Sequence, residues 1–231
     1  MPYGTKEKNQ LKVIARQNID FLLSFGVKAV IAACGTVSAN AADVLKNSIV
    51  PVFDVLTPSV EKMSMVKGNA PLAVIATEAS IRAGSFKRCL SEKNPERTIL
   101  SIPCQKFVTL CETGHIDRND DMLKNTVEYY LKPVKEAGTA ALLLGCTHFG
   151  IISEAISDYL GDDTQIISAS WCAAASLAAY LEKNDAMCGE NGKIRFYTSG
   201  SAEEFDDLAG KILGTSYTSH AEYIPPMPIE V

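Results

Sequence analysis

Short apolar runs alternate with helix-periodic stretches along almost the whole chain, and that alternation leaves few folds open. The runs are "VKAVIAAC" (27–34), "PLAVIAT" (71–77), "RTILSIPC" (97–104), "TAALLLGC" (139–146), "TQIISAS" (164–170) and "KIRFYTS" (193–199). Most are apolar without alternation, the pattern of strands covered on both faces. Between them lie helical patterns. Leu11, Ile14, Ala15, Asn18, Ile19 and Leu22 share one face, with Gly26 placed to end that helix. Further helices are expected over residues 39–47, 80–90, 120–137 (closing at Gly138), 149–160, 171–182 and 202–213. Ser201 and Glu204 form a capping box for the last of these. Strands alternating with helices predict an α/β fold with a largely parallel sheet. A chain of 231 residues, 47% of them hydrophobic, can build this as one domain or as two small ones.

Two of the runs end alike. "VIAACGTVSAN" (30–40) and "LLLGCTHFG" (142–150) share one grammar: strand, small residue, cysteine, turn, helix. Their cysteines, Cys34 and Cys146, lie 112 residues apart. That spacing suits two similar α/β halves facing each other, each offering the C-terminal end of a strand to one cleft. The division expected is residues 1–57 with 168–231 for the first half, and 58–167 for the second. A cysteine at a strand end, just before a helix, has reason to be acidic, because the helix N-terminus and a nearby imidazole favour thiolate. His148, two residues beyond Cys146, supplies that imidazole. Cys89, Cys104, Cys111, Cys172 and Cys188 lack this context and read as small apolar fillers.

The net charge of −5 gives no support to a nucleic-acid or membrane-surface partner. No apolar run approaches the roughly 20 residues of a membrane span. The polar opening "MPYGTKEKNQ" does not read as a signal peptide. Seven cysteines with no C-x-x-C pair read as reduced thiols in the cytoplasm, not as a disulfide framework or a metal site.

Six segments carry a family resemblance: "PYGTKE" (2–7), "ACGTVSA" (33–39), "VIATEASIRAGSF" (74–86), "CQKFVTLCETG" (104–114), "LLGCTHFG" (143–150) and "FYTSGSAEEF" (196–205). In this order they resemble the bacterial glutamate racemases of the aspartate/glutamate racemase superfamily. The resemblance implies cofactor-independent interconversion of L- and D-glutamate for peptidoglycan, by a cytoplasmic homodimer that uses no metal. It implies that Cys34 and Cys146 are the acid/base pair, with His148 assisting Cys146 and Glu112 orienting His148. Substrate would be held by Thr36, Thr147, the backbone around Tyr3, Gly4 and Gly35, and by Thr77 and Ser80. Histidine at position 148, where related aspartate racemases usually carry glutamate, favours glutamate as substrate.

The sequence departs from the family pattern in three places. Gly35 stands where the family commonly has asparagine, and "IISAS" (166–170) where it often has an aspartate. The family's strand and D-S-G turn before P-Y-G, about one βα unit, have no counterpart ahead of Tyr3. That unit carries an aspartate assisting the first cysteine and a serine that binds substrate. Other functions consistent with the residues are racemisation of aspartate or a hydantoin, an inactive racemase-like binding protein, and a Cys/His hydrolase that would leave the Cys34 motif idle.

Overall fold

The computed structural model describes Tyr3 and residues 6–189, 192–214 and 217–225. Its strands are β1 (Val30–Ala32), β2 (Val52–Asp54), β3 (Leu72–Ala76), β4 (Ile99–Pro103), β5 (Ala141–Leu144), β6 (Gln165–Ser168), β7 (Phe196–Thr198) and β8 (Ala221–Tyr223). The helices are α1 (Lys8–Leu23), α2 (Gly35–Asn40), α3 (Ala42–Lys46), α4 (Leu56–Ser64), α5 (Glu78–Ala83), α6 (Ser85–Lys93), α7 (Gln105–Glu112), α8 (Asp121–Glu136), α9 (Ser153–Leu160), α10 (Ala169–Lys183) and α11 (Ala202–Leu213). All the ladders are parallel. None of the described helices is long and apolar enough to cross a membrane.

A four-stranded sheet, in the order β4–β3–β5–β6, forms the centre. Every residue of β3 and β5 is buried, which explains their uninterrupted apolar sequences. Alternate residues serve opposite faces. Ala73, Ile75, Leu142 and Leu144 pack beneath α7, α8 and α9, while Leu72, Val74, Ala141 and Leu143 pack beneath α4, α6 and α10. Full burial of each large side chain contributes about 1.5–3 kcal/mol. The ladder runs on past the strand ends. Gly145 N–H donates to the Ile75 carbonyl at 2.8 Å, and Cys104 N–H to the Ala76 carbonyl at 2.9 Å. The turns after β3 and β5 are therefore held side by side.

The remaining strands form two separate parallel pairs, β1–β2 and β7–β8. Leu11, Ala15 and Ile19 of α1 pack with Val37 and Ala41 beside β1, and with Leu45 of α3. The far end of α1 meets β7, where Phe21 and Phe25 each lie 5.3 Å from the Tyr197 ring. Helix α10 spans two sheets: Ala169 and Ala173 pack under the central sheet, while Tyr180 lies 5.5 Å from Phe53 of β2.

Three helices are broken where the sequence suggested continuity. The stretch 39–47 is split into α2 and α3 at Ala41. There Ala41 N–H still donates to the Val37 carbonyl at 2.8 Å, and the Asn40 side-chain amide adds a bond to the Thr36 carbonyl at 2.8 Å. The stretch 80–90 is divided by Gly84, whose φ of +68° ends α5. The expected start at residue 149 is instead a 3₁₀ turn, Thr147–Gly150, and α9 begins at Ser153.

Candidate active site

Cys34 ends the β1 segment and caps the N-terminus of α2. Its turn is pinned by Ser38, whose hydroxyl lies 3.1 Å from the Cys34 carbonyl and 3.3 Å from that of Ala32. The same oxygen accepts from Val55 N–H at 3.4 Å, tying the turn to the start of α4. Burial pushes the Cys34 thiol pKa up; the N–H groups of Val37 and Thr36 and the Thr36 hydroxyl oppose the shift.

Thr36 belongs to a buried triangle of hydroxyls. It lies 3.3 Å from both Thr77 and Ser80, and these two are 3.0 Å apart. Thr77 follows β3 and Ser80 lies in the first turn of α5, so the triangle joins the α2 turn to the central sheet. Thr77 caps α5 by accepting from Ser80 N–H at 3.4 Å. Tyr3 packs against the cluster that also holds Cys34 and Val37, and its hydroxyl accepts from Asn18 at 3.5 Å. Gly4 lies outside the described residues.

Cys146 follows β5 and opens the 3₁₀ turn. Its Sγ lies 3.7 Å from His148 Nδ1. His148 Nε2 in turn lies 3.4 Å from Glu112 Oε1, at the end of α7. Carboxylate, imidazole and thiol thus stand in line. Burial pushes the Cys146 thiol up to about 12, opposed by the His148 N–H and reinforced by negative charge at Cys34, Cys111 and Glu112. The thiols expected to be acidic are therefore raised instead. Their turns are too short and too buried for helix and imidazole to outweigh desolvation: α2 has six residues, and Cys146 precedes a 3₁₀ turn.

Three supporting residues went unnoticed in the sequence. Cys111, read as a filler, donates its thiol to the His148 carbonyl at 3.4 Å, so α7 grips His148 at both ring and backbone. Ser38 anchors the Cys34 turn, and Phe86 lies fully buried below both cysteine turns. Only for Ser38 was there a local signal, a hydroxyl one helical turn after the cysteine. A cavity of ≈ 210 Å³ opens beside His148, lined also by Cys111, Thr147, Ile151, Leu208 and Ile212. Thr147 further lines a neighbouring groove under Trp171. Neither Cys34 nor Cys146 lines either of them.

Known proteins share this arrangement of sequence and fold. Residues 5–177 match the family model described as Asp/Glu/Hydantoin racemase. A glutamate racemase of Persephonella marina is 32% identical over 216 residues, covering 93% of this chain and 80% of that protein. The crystal structure of glutamate racemase from Francisella tularensis in complex with D-glutamate superposes with a TM-score of 0.85 at 32% identity, over 97% of this chain and 83% of that one. Picrophilus torridus aspartate racemase, at 20% identity and a TM-score of 0.53, shares the fold over 73% of this chain and 68% of its own.

Proposed function

The chain belongs to the Asp/Glu/hydantoin racemase family, and on that premise we propose that it interconverts L- and D-glutamate with Cys34 and Cys146 as opposing acid and base. The observation that carries this reading is the pairing of two thiols, Cys146 buried and Cys34 half-buried, on touching turns, each with its own polar support. Cys34 has the Thr36 hydroxyl and two backbone N–H groups, and Cys146 has His148 backed by Glu112.

In this scheme one sulfur, as thiolate, removes the α-proton of glutamate. The C–H pair stays on the α-carbon as a carbanion, and the opposite thiol delivers its proton to the other face. Burial makes an unaccompanied thiolate costly at either position. The ammonium group of a bound amino acid, placed between the sulfurs, offsets that cost and lowers the pKa it meets. His148, held by Glu112, takes up or returns the Cys146 proton. Thr36, Thr77, Ser80 and Thr147 offer hydroxyls, and the backbone near Tyr3, Gly4 and Gly35 offers N–H groups, for the substrate carboxylates. The scheme needs neither cofactor nor metal.

The placement of Thr36 against Thr77 and Ser80 supports a cleft between a half made of residues 1–57 and 168–231 and a half made of 58–167. By similarity to glutamate racemases, the product supplies peptidoglycan, and the protein acts in the cytoplasm as a homodimer.

The test is to give the purified protein L-glutamate and D-glutamate separately and follow the opposite enantiomer. Conversion from both sides, with little from either aspartate enantiomer, is expected. No conversion of glutamate in either direction would overturn the proposal.

A further inference from the structure

Position 35 has no room for a side chain. A Cβ on Gly35 would run into the carbonyl oxygen of Gly145. Gly35 follows Cys34 and Gly145 precedes Cys146, so the two cysteine turns meet backbone to backbone at this point. Gly145 is confined in the same way: a Cβ there would stand 3.0 Å from the Ile75 carbonyl oxygen and 3.3 Å from both Ala76 Cβ and Phe86 Cε2. That atom of Phe86 would also lie 3.9 Å from a Cβ on Gly35. One buried ring thus floors both turns.

Neither glycine has a positive φ, so backbone conformation does not demand glycine at either place. Close approach does. Nor can the turns easily yield. Gly145 N–H is bonded to the Ile75 carbonyl at 2.8 Å, and Ser38 holds the Cys34 carbonyl at 3.1 Å.

We propose that in this chain, where glycine stands in place of the family's common asparagine, the Gly35–Gly145 contact is the spacer that sets the separation of the two sulfurs, making Gly35 a positioning residue for inversion. This rests on the reading of Cys34 and Cys146 as opposing acid and base. Inversion requires the second thiol to protonate the carbanion before the first returns the proton it took. As the first C–H bond breaks, an S–H bond forms and the electron pair remains on the α-carbon. The outcome depends on which S–H then gives up its proton. A methyl group at position 35 must lift one turn from the other by on the order of an ångström, a displacement that can cost roughly 10²-fold in rate. Abstraction by the nearer sulfur survives, while delivery from the farther one falls behind.

The experiment uses the full chain in D₂O, with each glutamate enantiomer in turn, and measures deuterium in both recovered substrate and inverted product. The unsubstituted protein should place deuterium in the product, with little in the recovered substrate. Gly35→Ala should invert about 10- to 100-fold more slowly, and its ratio of wash-in to inversion should rise at least about tenfold. Thermal unfolding monitors the fold. Phe86→Leu leaves both glycines in place and shrinks the shared floor, and it should raise the same ratio by a smaller factor. A folded Gly35→Ala protein with an unchanged ratio, including one in which exchange and inversion fall equally, would overturn the proposal. If Gly35→Ala fails to fold, an unchanged ratio in Phe86→Leu would overturn it. Absence of both exchange and inversion in the unsubstituted protein would overturn the racemase reading itself, and this inference with it.

Discussion

Glu112 and His148 lie 3.4 Å apart with side chains 47% and 34% exposed. Ion pairs this exposed contribute about 0–1 kcal/mol to stability, whereas a positioned proton-transfer group contributes on the order of 10²–10⁴ in rate. The two magnitudes separate a structural role from a chemical one. Glu112→Gln should leave the melting temperature almost unchanged, lower kcat by about tenfold or more, and move KM little. A matched loss of stability and activity would assign the pair to structure instead. Cys34, Thr36, Cys146 and His148 were legible because they sit in two contiguous strand–turn runs. Cys111, Ser38 and Phe86 were not, because each acts on a residue of another turn or element, or on a backbone carbonyl. The acidity expected of the thiols failed for the same reason. Helix and imidazole effects are local and visible in sequence, while desolvation is a product of tertiary packing.

Among the elements, β3, β5, α1 and α8 were readable because burial imposes an unbroken pattern on them. Strands β2 and β8 escaped notice. Each has three residues, half-buried throughout in β2 and mostly exposed in β8, too few to display a period, and β2 ends on Asp54. Asp54 earns its place by accepting from the N–H groups of Leu56 and Thr57, both at 2.7 Å, where α4 begins. Helix α7 was also missed, yet it brings Glu112 and Cys111 to His148. Two of the three helix breaks, in 39–47 and at 149, share a setting, whereas the third is the Gly84 turn. The β1–α2 and β5–α9 connections carry the cysteines, and each replaces a regular helix start with a short segment that packs closely on the other. Local regularity gives way where the two turns meet.

For the whole molecule, the parallel α/β architecture followed from strand–helix alternation, and the pairing of the two turns from their shared grammar. The separation into β1–β2 and β7–β8 pairs depends on how distant segments assemble, which no local pattern reveals. Buried thiols also leave a global signature. Burial pushes Cys111 and Cys146 up to about 12, and Cys104 is shifted in the same direction. In the unfolded chain such thiols ionise near ~8.5. Below that pH both states keep their protons, and the contribution to stability is complete. Above it the unfolded state releases protons that the folded state retains, so stability falls as pH climbs towards the folded values. The slope approaches about 1.4 kcal/mol per pH unit for each such thiol. The melting temperature should hold between about pH 7 and 8 and decline from about pH 9 upward. A flat profile through about pH 10.5 would show that these thiols are not retained as neutral groups.

The central claim is that inversion takes two sulfurs working from opposite faces. Cys34→Ser and Cys146→Ser each leave one thiol and replace the other with a far weaker acid. Each variant, folded as judged by its thermal transition, is given L- and D-glutamate in D₂O while the enantiomeric composition and the position of deuterium are recorded. Racemisation should be abolished in both variants, whereas the unsubstituted protein should carry deuterium in the inverted enantiomer from the first turnovers. Racemisation at the unsubstituted rate by either single variant would contradict the two-thiol mechanism.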